Sequence, residues 1–302
     1  MNPYEDMQTF IRIVEAGSIT KAAEQMNTVK SAISRRLTEL EKRLGVSLIT
    51  RTTRSQTLTA SGQSYYQQCL RLTDDLLEIE ANIRSEHRAL SGRIKIAAPL
   101  TFGIRHLSQA LRTFNDIHPD VSFDIDFNDR KVDLIQEGFD MAIRIAKLQD
   151  SSLIAKPLFQ SQAILCASPS YLKQYGTPEK PEDLLTGHVR VHYTGGKNTW
   201  SFLSSTGKQM TCELPSVINA NNGDFLCQSA IDGKGLLYSP DFICYKALRQ
   251  KQLIPLLRDY WCNNTIDGYA IYPQTRHLSQ RVRSLVDYLS QYFGKSPYWS
   301  LE

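Results

Sequence analysis

Asn27–Leu44 reads NTVKSAISRRLTELEKRL, and its two faces differ in chemistry. Ile33, Leu37, Leu40 and Leu44 recur at helical spacing and are expected to face a core. Ser31, Ser34, Arg35 and Thr38 fall on a second face, at i, i+3, i+4 and i+7. That face is short, hydroxyl-rich and cationic, a composition that suits a DNA groove as well as plain solvent. Thr28 stands where an N-cap belongs, which leaves backbone N–H groups at the helix start for a phosphate. Alone, the stretch reads equally well as an ordinary amphipathic surface helix. Its neighbours decide.

Upstream, Met7, Phe10, Ile11 and Val14 stripe a first helix from about Tyr4 to Ala16, ended by Gly17. Ser18 caps a second helix striped by Ile19, Ala22, Ala23 and Met26, whose small alanines allow the close helix approach of a helix-turn-helix. Downstream of Gly45 comes VSLITRTTRSQTLT (Val46–Thr59), rich in threonine and β-branched residues. It reads as a two-stranded hairpin with Arg51, Thr52, Thr53 and Arg54 near its tip. Three helices and a basic hairpin over residues 1–59 make a winged helix-turn-helix, in which the third helix enters the major groove. Charge agrees. Thr28–Arg54 holds seven cations against two acids, an excess larger than the +4 of the entire chain, so the remainder is slightly acidic.

A chain of 302 residues implies two or three domains, and 41% hydrophobic with 22% charged residues is ordinary for a globular protein. Glu5, Asp6 and Arg12 lie within an amphipathic pattern, so the N-terminus does not read as a signal peptide. No apolar run approaches the ~18 residues of a membrane span. The six cysteines (69, 166, 212, 227, 244, 262) are dispersed without a C-x-x-C pair, which argues against metal and disulfides and for a cytoplasmic location. There is no G-x-S-x-G, H-E-x-x-H or phosphate loop, and the histidines are scattered. No catalytic residue, metal or cofactor is therefore expected, and His106 and His277 are expected to cap or hydrogen-bond locally.

Between residues 60 and 89, Tyr65, Cys69, Leu72, Leu76, Ile79 and Ile83 are spaced as a heptad seam. We read a linker helix that dimerises through these six residues, the alternative being a helix lying on its own domain. From residue 92 strand and helix alternate. Strands are expected at Ile94–Ala98, Val121–Phe127 and Met141–Ile145, with a helix striped by Leu107, Leu111, Phe114 and Ile117 and a short helix from Val132 to Glu137. This βαβαβ order implies a parallel sheet covered by helices. A second set begins near Ala163, and a closing helix runs from Ser279 to Phe293. Two α/β subdomains are expected within 92–302, one from about 92–162 and 267–302, the other from about 163–266. Ligands of such sheets bind at the carboxyl ends of strands, here between the subdomains.

These stretches, in order, resemble the LysR-type bacterial transcriptional regulators. The matching segments include FIRIVEAGSITKAAEQMN, SAISRRLTELEKRLGVSLITRTTRSQTLTASG, SGRIKIAAP, VDLIQEGFDMAIRI, LCASPSYL and YPQTRHLSQRVRSLVDYL, nearly end to end. The resemblance implies an effector-binding domain of periplasmic-binding-protein type, a homodimer or homotetramer, promoter DNA and RNA polymerase as partners, and control by a small molecule. By position it assigns DNA contacts to Lys30, Ser31, Ser34, Arg35, Arg51 and Arg54, with Thr38 on the same face. It departs from the family where Thr28-Val29-Lys30 replaces the usual Leu-Ser-Gln, placing a point charge where glutamine would read adenine. It assigns the effector cleft to Thr101, Phe102, Asn128, Tyr193, Asn221 and Asn222, which suits a small anion; Thr101 and Asn222 read equally as helix caps. Tyr238 stands where relatives have a purely aliphatic strand, and it either shapes a pocket or packs. The rivals are a regulator switched by oxidation, which needs Cys212 and Cys227 to approach each other; a transporter's solute-binding protein, which needs a signal peptide and no helix-turn-helix; and an enzyme.

Overall fold

A computed structural model describes residues 2–51, 56–84, 90–146, 153–203, 206–261, 265–274, 278–294 and 296–301. The chain opens with α1 (Pro3–Ala16), α2 (Ile19–Gln25) and α3 (Lys30–Leu44). Asn2 caps α1 by accepting from the Tyr4 amide at 3.1 Å, and Ser18 caps α2 by accepting from Lys21. Thr28 does not cap α3. Its own amide donates to the Ala23 carbonyl at 2.9 Å, which carries the chain one residue further, and Val29 takes the cap position with no side-chain bond. Phe10, Ile13, Ile19, Ala22, Ala23, Ile33, Leu37 and Leu40 close one core with Leu48 and Ile49. Leu44 is exposed, because the last turn of α3 runs past that core.

A short hairpin, β1 (Ile49–Arg51) and β2 (Gln56–Leu58), follows, its tip outside the described residues. Glu41 ties it to α3 by accepting from the amides of Leu48 and Ile49 at 2.7 and 3.1 Å. The long helix α4 (Ala60–Arg84) begins so close to Leu48 that a Cβ on Gly62 would fall 1.9 Å from the Leu48 carbonyl oxygen.

The expected seam on α4 is divided. Cys69 is fully buried against Met7 and Ile11 of α1, and Tyr65 packs on Phe10 at 5.4 Å between ring centres. Both residues belong to an intramolecular contact, which closes Cys69 to a partner and leaves Tyr65 half-buried. Leu72 is 58% exposed and Leu76 is half-buried; the side chains of Ile79 and Ile83 lie outside those described. Arg71, one residue before Leu72, donates to the carbonyls of Leu134 (3.1 Å) and Phe139 (2.5 Å), so α4 also rests on its own C-terminal domain.

That domain is built from β3 (Gly92–Ala98), α5 (Leu100–Phe102), a π-helical turn (Gly103–Leu107), α6 (Ser108–Ile117), β4 (Val121–Phe127), β5 (Met141–Ile145), β6 (Leu153–Ala167), α7 (Pro169–Tyr175), β7 (Arg190–Tyr193), β8 (Trp200–Leu203), β9 (Gln209–Cys212), β10 (Ser216–Ala220), α8 (Gly223–Ile231), β11 (Leu236–Pro240), α9 (Asp241–Arg249), β12 (Ile254–Pro255), β13 (Thr265–Pro273) and α10 (Gln280–Phe293). The strands run β10-β7-β11-β6-β13-β5-β3-β4, with β12 on β6. Within each half the pairs are parallel, β3 with β4 and β5, β7 with β10 and β11. The expected wholly parallel sheet is interrupted where β6 and β13 run antiparallel. Residues 153–162 of β6 pair with β13, and residues 163–166 pair with β11, so one strand crosses between the two subdomains.

The short helix expected over Val132–Glu137 does not form. Asp133 Oδ1 accepts from the amides of Ile135 and Gln136, and Arg130 holds the Glu137 carboxylate; together they fix a single turn that ends at Gly138, with φ +74°. A Cβ at Gly138 would meet Gln67 of α4 at 2.7 Å. Among the described residues, no helix is long and apolar enough to cross a membrane.

Candidate nucleic-acid interface and effector cleft

Lys30, Ser31, Arg35 and Thr38 stand exposed on the outer face of α3, with Ser34 half-buried among them. Ser31, Ser34, Arg35, Thr38, Glu39 and Lys42 line one open concavity. The Arg35 side chain is 81% exposed and pairs with Glu39 at 3.0 Å, one turn along the helix. Glu39 therefore orients the exposed Arg35 guanidinium, a pairing with no signal in the sequence beyond its spacing. Val29, at 66% exposure, places an apolar side chain at the tip of this helix.

Not every cation near α3 belongs to this face. Arg36 pairs with Glu5 at 2.9 Å, Arg43 pairs with the buried Asp6 at 3.0 Å, and both clamp α3 onto α1. The basic patch counted along the chain is thus smaller in space. Arg51 contributes backbone to β1, but its side chain, like Arg54, lies outside those described.

In the C-terminal domain, the carboxyl ends of β3 and β4 face those of β7 and β10. The Asn128 amide donates to the Ala98 carbonyl at 3.0 Å, and its side chain closes a turn by accepting from Arg130. This places Asp129 at the mouth, where it accepts from the Leu100 amide at 3.1 Å and lies beside the Tyr193 phenol of the other subdomain. Burial, with the Asp129 carboxylate beside it, pushes the Tyr193 phenol up to about 12. Asp129 is the residue that sequence reasoning missed, since only the fold sets it opposite Tyr193. Tyr193 is in register with Ala220, which brings Asn221 and Asn222 to the same edge; Asn221 is exposed, and Asn222 caps α8 by accepting from Phe225 at 2.8 Å. Arg105 makes a second bridge across the subdomains, to Asp224 at 2.6 Å and to the Ile243 carbonyl at 2.6 Å.

Two residues assigned to the cleft lie elsewhere. Phe102 is fully buried, stacked on Phe159 at 4.8 Å between ring centres and edged by Phe242 and Trp299. Thr101, just before it, is also buried. Tyr238 packs on Trp200 and Phe202 at 5.6 and 6.2 Å between ring centres, beneath the β8–β9 hairpin. Its neighbour Leu237 takes the opposite face, as strand alternation requires.

His106 does not hydrogen-bond locally. It is buried, with Nε2 2.9 Å from the Phe242 carbonyl and Nδ1 2.5 Å from the Tyr298 hydroxyl, and burial pushes its pKa down to about 4. His277 and Cys262 lie outside the described residues. Cys212 and Cys227 sit in clusters on opposite faces of the subdomain sheet, and burial pushes both thiols up, Cys227 to about 12.

Residues 4–63 match the family described as bacterial regulatory helix-turn-helix protein, lysR family, and residues 87–294 match the LysR substrate binding domain. The HTH-type transcriptional regulator CrgA of Neisseria meningitidis is 30% identical over 294 residues, 97% of either chain. An uncharacterized HTH-type transcriptional regulator of Haemophilus influenzae is 32% identical over 286 residues, 94% of this chain and 99% of the other. The CrgA structure matches at a TM-score of 0.63 over 98% of this chain and all of that one, with 30% identity. Full-length AphB, a virulence activator of Vibrio cholerae, matches at 0.61 over 95% and 98%, with 28% identity. The relatives are regulators by name, not enzymes. The chain belongs to the LysR family of bacterial transcriptional regulators, with a DNA-binding helix-turn-helix and a substrate-binding domain.

Proposed function

We propose that this regulator binds a promoter sequence-specifically through Lys30, Ser31, Ser34, Arg35 and Thr38, with Arg51 and Arg54 of the wing on the backbone, and that a small effector alters its grip on that DNA. The effector occupies the cleft at Asn128, Tyr193, Asn221 and Asn222. The observation that carries this reading is the closeness of the Asp129 carboxylate to the Tyr193 hydroxyl, which brings the two subdomains together at the ends of four strands. A ligand there must offer Asp129 a donor in place of the Tyr193 hydroxyl. Its anionic group lies at the head of α8, beside Asn222. A small acid that also carries an amino or hydroxyl group meets both demands. It shifts DNA binding only to the extent that it binds the bridged and unbridged arrangements differently.

The protein acts as a homodimer or homotetramer in the cytoplasm, where it meets RNA polymerase at the promoter. Exposed Leu72 on α4, and exposed Ile117 and Phe225 on α6 and α8, support self-association. Winged helices on one face of DNA then read half-sites about one helical turn, ~10 bp, apart.

Fluorescence anisotropy on the protein's own upstream intergenic DNA, against a scrambled duplex and across a salt series, tests the reading. A preference of ~10³ or more that falls steeply with salt is expected. Equal, weak binding to both duplexes, with and without amino and hydroxy acids added, would sink it. Asn222→Ala is expected to change the effector response and leave basal DNA binding unchanged.

A further inference from the structure

Arg190 is 4% exposed, on a strand in the middle of the second subdomain. An arginine does not lose its proton in a protein, so a buried guanidinium must be met by an anion or by acceptors on every side. Here it is not. No Asp or Glu among the described residues pairs with it. Nη1 donates to the Asn198 carbonyl, while Nε is buried without an acceptor. That bond occupies one end of the fork and leaves the Nε–Nη2 edge, the side on which a carboxylate is held by two parallel N–H groups.

The surroundings fit a ligand. Val191 turns into the cluster under α8, so Arg190 and His192 face the opposite side of the sheet, together with Leu236 and Tyr238. The Trp200 ring lies 5.8 Å from the guanidinium carbon and walls this side. His192 is itself buried on the same face; burial and the Arg190 charge both lower its pKa, which disfavours a second cation beside the guanidinium. A single buried positive charge matches a monoanion with a planar fork better than a phosphate dianion.

We propose that Arg190 anchors a carboxylate-binding subsite beneath the β8–β9 hairpin, on the face of β7 opposite Tyr193, and thus separate from the cleft. A small free carboxylate lies side-on against Nε and Nη2, with Trp200 beside it.

Thermal unfolding of the full chain in sodium acetate against sodium chloride, at constant ionic strength, tests this. Acetate is expected to raise the wild-type midpoint in a saturating way. Arg190→Met is expected to be at least as stable in chloride and indifferent to acetate. Arg190→Lys retains the charge without the fork, weakens the apparent acetate affinity by about tenfold, and decides the matter should the methionine variant fail to fold. An Arg190→Met protein that responds like wild type overturns the proposal. So does an Arg190→Lys protein with undiminished affinity, or a wild type indifferent to acetate up to roughly 0.1 M.

Discussion

The Asp6 carboxylate on α1 lies 3.0 Å from the Arg43 guanidinium in the last turn of α3, and Asp6 is almost fully buried while Arg43 is half open to solvent. Arg36 approaches the same carboxylate at 3.8 Å. With Glu5, which pairs with Arg36 at 2.9 Å, α1 and α3 are thus joined by two acids and two bases.

Asp6→Asn is expected to destabilise the helix-turn-helix by about 1–3 kcal/mol, less than for a fully buried pair because solvent reaches Arg43. Urea unfolding followed by circular dichroism measures it. The base preference of the folded fraction should not change.

Arg35 and Arg36 are neighbours in sequence with different surroundings, Arg35 exposed on the outer face of α3 and Arg36 held to Glu5 of α1. Arg35→Ala should cost about 1–3 kcal/mol on the specific site and blur preference at one base position. Arg36→Ala should lower stability and leave the preference as it was. A selection from random duplexes with both variants separates these outcomes; matching shifts in preference would contradict the division.

His106 gives the effector domain a pH dependence of definite sign. Its folded pKa, about 4, lies below the 6.5 of a free histidine because burial penalises the imidazolium. The contribution is complete above pH 6.5. As pH falls from 6.5 toward 4, the unfolded chain takes up a proton that the folded chain refuses, and at most about 3 kcal/mol is lost. Stability curves for wild type and His106→Gln should therefore converge across that interval. Parallel curves would exclude the effect.

Trp299, near the C-terminus, is fully buried among Phe102, Phe159, Phe293 and His106. Arg249 holds the flanking backbone by donating to the carbonyls of Tyr298 and Ser300. Trp299→Ala should destabilise the effector domain by about 3–5 kcal/mol. Limited proteolysis should then show that domain cut before the helix-turn-helix.

Local periodicity and helix caps, legible along the chain, account for part of this fold. Ile33, Leu37 and Leu40 are buried as their spacing requires, Ser18 and Asn222 cap the helices they precede, and Val121–Phe127 is a strand throughout. Each of those signals needs only residues within a turn or a pleat of one another. Tertiary structure alone decided which polar groups face each other. Asp129 meets Tyr193, His106 meets Phe242 and Tyr298, and Cys69 turns onto α1 instead of outward. Tertiary structure likewise took Phe102 and Tyr238 from the cleft into packed clusters, and drew Arg36 and Arg43, two of the seven cations counted along Thr28–Arg54, into ion pairs with α1. Helical spacing says which residues share a face. What that face meets depends on where the chain returns after tens or hundreds of residues, and β6, crossing both sheets, sets that path for the C-terminal domain.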